Sequence, residues 1–422
     1  MRNLGLAIFL LLPLGCHAAE PAGPSQPGPN DWPQWRGPER DDVNRETGLL
    51  KDWPADGPAI AWKAKGLGGG YSTPSISAGR VFGMGFVDDD EVVWALNERT
   101  GDMLWSKRIA AKNSKYGYGE GSRSTPTVVG DVLYTLGIDG DLVCLKVADG
   151  DLVWHVKLKK EYGGSVGGWG YSESPLVDGD HVIVAAGGRD ATIVALDRKD
   201  GKLVWKCKVP QGDHAHYASA IAADVYGVRQ YIYFLSGGVV GVAANDGKFL
   251  WRYDKPHNGT ANCSTPICSD NRVFAASNYG TGGGLVALTN QDGKFTADEV
   301  YFSKHMKNHH GGVILVDGYL YGSNDPGLLT CLDFKTGKLQ WDDRKPGKGS
   351  IAYADGRLYC RDENSGDVFL VEAAPTKYSE HGRLKQPDRS GHNAWPHPVI
   401  ANGRLYLRDQ DVMFVYDIKE KK

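Results

Sequence analysis

Apolar residues in this chain come in short runs bounded by turn residues, a spacing that predicts strands joined by hairpins and not amphipathic helices. The clearest case is residues 193–205, IVALDRKDGKLVW. Ile193 to Leu196 is an apolar, partly β-branched run suited to a strand buried on both faces. Asp200-Gly201 predicts a tight turn, because glycine takes positive φ without steric cost and the Asp side chain can bond local backbone. Lys202 to Trp205 returns as a second strand, ending in an indole large enough to fill a gap between sheets.

The same pattern recurs at residues 95–105, 145–154, 242–251 and 331–341, with a weaker copy at 287–294 that lacks the Trp. Each copy follows a second element: a Ser-Thr-Pro or similar step, then a strand, a turn and another strand. The steps fall at residues 72–74, 124–126, 173–175, 218–220, 264–266, 310–312, 349–351 and 395–398. This makes about eight units of roughly 40 to 50 residues, the period of four-stranded propeller blades.

Residues 331–341 match Ala-x-Asp-x-x-Thr-Gly-x-x-x-Trp except for Cys331 in place of Ala. This pattern resembles the blade motif of PQQ-like, quinoprotein-type β-propellers. Residues 31–38, DWPQWRGP, are similar to the opening of a large set of secreted bacterial PQQ-like repeat proteins. The resemblance runs from Trp62 to the C-terminus. It implies an all-β, eight-bladed propeller of four-stranded antiparallel blades. Dehydrogenases and BamB-type scaffold proteins share the motif, so it leaves function open.

The last repeat, residues 395–417, has no returning Trp strand, whereas residues 58–62, PAIAW, look like a stray outermost strand. The N-terminal strand is therefore expected to close the ring. Three regions follow: a signal peptide at 1–19, a Pro/Gly-rich linker with a Trp-containing segment at 20–57, and the propeller at 58–422. Trp32 and Trp35 are expected to pack that segment against the propeller, the alternative being a ligand or partner patch.

Composition narrows the picture. Fifty-six glycines and twelve tryptophans suit many turns and wedges between blades, and a net charge of −3 without a basic stripe argues against nucleic acid. Arg2, an apolar core at 4–14 and small residues at Gly15, Ala18 and Ala19 predict an export signal too short to span a bilayer. A secreted or periplasmic monomer is expected. Lipidation on Cys16 is the alternative, although Pro13 departs from the usual lipobox. Cys144 and Cys331 stand where other repeats have Ala, as small core fillers, and Cys263 and Cys268 are too far apart along one strand to bridge. No disulfide framework is expected.

In a propeller, the loops leading into the blades gather around one mouth of the channel. Here those loops carry His, Trp, Tyr, Glu and Arg among glycines. Candidate ligand or cofactor residues are Tyr118, Glu120, Arg123, Trp169, Glu173, His216, Asn262, His309 and His310. Such a set suits a small polar or anionic ligand. The plainer alternative is a hydrogen-bonded plug holding the blades together. A metal could draw on His214, His216, His309 or His310 with Glu173 or Glu120, although adjacent His309 and His310 on a strand would face opposite sides.

The quinoprotein resemblance also implies PQQ with Ca²⁺ and an Asp base. Glu173 and Asn262 are then the candidate calcium ligands, Arg123 the partner of a quinone carboxylate, and Asp213 the candidate base. The vicinal Cys pair of the large alcohol dehydrogenases is absent from the sequence, as are a phosphate loop, His-Glu-x-x-His and a nucleophile elbow. The first reading is a binding or scaffold protein that holds a small ligand or an envelope protein at the channel mouth. The alternative is a PQQ- and Ca-dependent oxidoreductase.

Overall fold

A computed structural model describes residues 27–421; the signal segment and Cys16 lie outside the described residues. Eight antiparallel sheets follow one another along the chain, and each is a blade. Blade three is typical, with strands Leu176–Asp178, His181–Val184, Ile193–Asp197 and Leu203–Cys207 in sequence order across the sheet. The β-propeller expected from the repeat period is the architecture found.

The repeat motif explains itself in this geometry. The predicted turn after Leu196 is wider than a two-residue hairpin. Asp197 Oδ1 accepts the Lys199 amide (2.7 Å), the Gly201 amide bonds back to the Asp197 carbonyl (2.9 Å), and Gly201 sits at φ 71°. Trp205 then pairs with Ala195 beside a bulge. The same register sets Trp105 opposite Ala95, Trp154 opposite Cys144 and Trp341 opposite Cys331. In these four blades the residue opposite the indole is Ala or Cys. Cys144 and Cys331 are buried fillers as expected, and the six described cysteines are free.

Each indole also joins its blade to the next. Trp154 Nε1 donates to the Arg198 carbonyl (2.9 Å), and a Cβ on Gly201 would lie 3.0 Å from the Trp154 ring. The turn glycine is thus fixed twice, by its left-handed φ and by the neighbouring indole. Blade five departs from the pattern. Its last two strands, Gly282–Gln291 and Lys294–Ser303, run ten residues each, and Tyr301 occupies the Trp position, donating to the Phe334 carbonyl (2.9 Å).

Ring closure is as expected: Ile60–Ala64 pairs antiparallel with Val412–Asp417 and completes blade eight. An unexpected addition precedes it. Val43–Asn44 pairs in parallel with Gly349–Ala354, giving blade seven a fifth strand on its innermost edge.

The segment before that strand runs into the centre of the ring and touches most blades. Trp32 exchanges backbone hydrogen bonds with Ile76 in blade one, and the Pro33 carbonyl accepts the Val128 amide of blade two. Arg40 donates to the Ser174 and Pro175 carbonyls before blade three (2.8 and 3.1 Å). Trp35 Nε1 reaches Thr265 before blade five (3.0 Å), and Arg36 reaches the Val313 carbonyl in blade six (2.6 Å). Arg36 is fully buried and ion-paired with Asp42 (3.1 Å). Arg36, Arg40 and Asp42 all hold positive φ (61°, 57° and 60°), backbone strain that persists only where surroundings over-determine it. Residues 31–44 are therefore a plug in the channel.

Candidate functional site

The plug does not fill the mouth. Above Trp35 lies a cavity of about 150 Å³, walled by the loops that lead into the blades. Its aromatic lining comes from separate loops. Tyr71 precedes blade one, Tyr118 precedes blade two, Trp169 precedes blade three, Tyr217 precedes blade four and Trp395 precedes blade eight. Trp395 is the hub: its ring centroid lies 4.6 Å from Tyr71, 4.8 Å from Tyr118 and 5.2 Å from His310. On the other wall Trp169 meets Tyr217 edge-on (5.5 Å). Beneath them Trp35 packs on His397 (4.6 Å).

Of the sequence candidates, Tyr118, Arg123, Trp169, His309 and His310 come together on this lining. His309 and His310 both reach it. They lie in irregular chain ahead of strand Val313–Val316, so the alternation expected of a strand does not apply. Arg123 lies over Tyr71 (5.5 Å) and spends Nη2 on the Gly117 and Tyr118 carbonyls (2.7 and 2.9 Å). Its Nη1 is buried without a partner.

The other candidates serve the scaffold around the cavity. Asn262 is fully buried; its oxygen accepts the Asn258 amide (3.0 Å), and its amide group donates to the Leu235 and Ser236 carbonyls. His216 accepts the Asn262 amide at Nδ1 (3.0 Å) and stacks on Tyr217 (4.5 Å). Burial, then the charges of His214 and His257, pushes His216 down to about 3, so the ring is neutral. Glu120 pairs with His392 (3.2 Å). Asp213 is locked on Arg252 by two bonds (2.8 and 3.2 Å). Glu173 is buried on the Ala185 amide (2.5 Å), and burial pushes it up to about 8.

These placements do not fit a quinone with its calcium ion. Glu173 is protonated at neutral pH, the Asn262 oxygen is already used, and no carboxylate is among the residues lining the cavity. A metal fares no better on this donor set, since no group of three or more His, Cys, Asp or Glu side chains suited to an ion occurs among the described residues.

Sequence reasoning missed Tyr71, Cys263, Tyr279 and Glu363. Tyr71 and Cys263 stand immediately before Ser-Thr-Pro steps, where Arg123 also stands, so position alone could have found them. Tyr279 and Glu363 belong instead to hairpins between the second and third strands of blades five and seven. Those hairpins open on the same face, and no motif marks them. Glu363 does not line the cavity but holds His310, with Oε2 2.6 Å from Nε2. Trp395 Nε1 (2.9 Å) and Lys348 (3.4 Å) hold the same carboxylate. Although burial raises Glu363, the hydrogen bonds from His310 and Trp395 and the charge of Lys348 outweigh it and bring the carboxylate down to about 2.

Blade number, repeat motif and N-terminal closure define an eight-bladed propeller of quinoprotein-type repeats. The sequence matches the family described as "Outer membrane protein assembly factor BamB" over residues 43–165 and 89–343, overlapping spans that cover most of the chain, and the protein belongs to that family. A BamB from Kangiella koreensis is 36% identical over 117 residues, 26% of each chain, so the match spans about a quarter of that relative. The BamB structure from Moraxella catarrhalis superposes with a TM-score of 0.54 at 16% identity, covering 90% of this chain and 97% of that one. The quinohemoprotein alcohol dehydrogenase of Comamonas testosteroni gives 0.66 at 13% identity, covering 93% and 81%. At these identities the two structures share the fold with this protein.

Proposed function

We propose that the protein is a binding propeller that holds a small ring-shaped ligand in the aromatic cup at the channel mouth. One observation carries this reading: a cavity of about 150 Å³, walled by Trp and Tyr from separate loops and floored by the plug. A cavity of about this size suits a single six-membered ring, and convergent aromatic walls with few polar groups are the usual make-up of a small-molecule site. Family membership and the export signal read at residues 1–19 support a place outside the cytoplasm, where envelope components are the source of ligand.

Trp35, Trp169 and Trp395 around the cup supply the test. Titration with a panel of monosaccharides and small ring acids should quench or shift tryptophan emission saturably, and Trp395→Ala should weaken the response. A flat emission and an unchanged melting temperature across the panel would sink the reading. The oxidoreductase alternative has no supporting observation in the cavity, for the reasons of donor chemistry given above.

A further inference from the structure

Three buried polar atoms of cavity-lining residues have no partner in the protein, Arg123 Nη1, His309 Nδ1 and His310 Nδ1, and the chemistry of the first and the last is complementary. Arg123 Nη1 is a donor on a cationic group that forms no ion pair among the described residues. The charge of Glu120 acts on Arg123, but its carboxylate lies 3.2 Å from His392 and makes no ion pair with the guanidinium. His310 Nδ1 is the other atom of this pair. Its ring gives Nε2 to Glu363, and an ionised carboxylate only accepts, so the ring proton resides on Nε2 and Nδ1 presents a lone pair. Burial lowers the His310 pKa, the Glu363 bond and charge oppose that, and Lys348 and His397 lower it further; the balance is a neutral ring.

The aromatic side chains of Tyr71 and Trp395 lie between these two atoms. Arg123 lies over the Tyr71 ring, Tyr71 meets Trp395 at a tilt of 41°, and Trp395 meets His310 at 47°. A ligand satisfying both atoms must offer an acceptor, best an anion, at the Arg123 end and a hydrogen-bond donor at the His310 end, with a ring face between them.

We propose that the cup recognises an acidic ring compound: a six-membered ring bearing one carboxylate, bound by Arg123, and at least one hydroxyl, donated to His310 Nδ1. The proposal rests on the ligand-binding reading and adds the ligand's chemical class. Two sources offer this chemistry, a hexuronic acid sugar and a hydroxylated aromatic acid. Glu363 is a positioning residue, since it fixes which nitrogen of His310 faces the ligand.

The experiment is calorimetric titration of the full chain with D-glucuronate and 4-hydroxybenzoate, against D-glucose, which lacks the carboxylate, and cyclohexanecarboxylate, which lacks the hydroxyl. At least one hydroxy acid should bind about tenfold or more tighter than both controls, one charge-assisted hydrogen bond being worth about that factor. Which of the two binds tells sugar from aromatic. Arg123→Gln should bring the hydroxy acid down to the level of glucose, and Glu363→Gln should weaken hydroxy acids while leaving cyclohexanecarboxylate unchanged. The wild-type preference decides even if a variant fails to fold. Glucose or cyclohexanecarboxylate binding as tightly as the hydroxy acids would overturn the acid proposal and leave the cup a binding site. Binding of none of the four would overturn the proposal, and the wider panel above then judges the cup itself.

Discussion

At the rim of the ring, five contacts are alike, four in succession and a fifth beyond blade five. Trp62, Trp105, Trp154, Trp205 and Tyr301 each lie against the turn glycine of the next blade, respectively Gly101, Gly150, Gly201, Gly247 and Gly337. Each also donates to a backbone carbonyl beside that turn. At the mouth, loops at equivalent positions present Tyr71, Arg123, Cys263 or His309, and no common contact joins them. Trp251 shows what governs the rim. The long hairpin of blade five carries its turn glycine, Gly293, away from all neighbours, and Trp251 bonds Gln230 of its own blade instead (2.7 Å). Packing against the next blade forces the rim residues to repeat, whereas the mouth loops face open space and are free to differ.

Trp205→Ala attacks the rim where it is most regular. It should cost about 3–5 kcal/mol in urea denaturation, since a buried indole and its hydrogen bond are both lost. Ligand affinity of the folded protein should stay within about twofold. A comparable loss of affinity would mean that rim and mouth are coupled.

On the mouth side Glu173 gives a pH test. Its carboxyl is pushed up to about 8, chiefly by burial, from an ordinary value of 4.5. Between those two values the unfolded chain releases the proton and the folded chain keeps it, so stability is full below about pH 4.5 and falls as pH rises toward 8. Glu173→Gln should flatten that fall, gaining on the order of 3 kcal/mol over wild type at pH 8 relative to pH 5 in urea denaturation. Parallel profiles for the two proteins would mean that the carboxyl is ionised in the fold.

Trp395→Ala should act in the opposite sense to the rim variant. Affinity should fall about tenfold, or roughly 1.4 kcal/mol by titration, with a stability loss less than half that of Trp205→Ala. The smallest effect belongs to Tyr301→Trp, which restores the motif in blade five. An indole at this position can reach the Phe334 carbonyl as the phenol does, so the change should stay within about 1 kcal/mol. A larger loss would show that the long hairpin requires the Tyr.

The regular parts of the molecule were legible because their causes are local. Asp197, Gly201 and Trp205 act within one hairpin, and their recurrence revealed the blades, the missing strand of blade eight and its replacement at Ile60–Ala64. The site was legible in part. Arg123, Tyr118, Trp169, His309 and His310 could be nominated because the repeat count places their loops on one face. Glu173, Asn262 and Asp213 had equal claims by residue type, and only their hydrogen bonds to Ala185, Leu235 and Arg252 remove them.

The plug shows the limit most clearly. Sequence set aside Trp32 and Trp35 as packing residues on a linker, and nothing in the run DWPQWRGP says that it enters a channel. Arg36 and Arg40 would be read as solvated charges, yet both are buried on carbonyls from distant blades. What the sequence determined by itself was the ring, since a repeat that cannot bury its face alone dictates its own neighbours. Only the tertiary structure decided what stands at the centre. There the contacts join residues hundreds of positions apart, such as Asp42 with His397 (3.1 Å), and follow no period that a sequence could display.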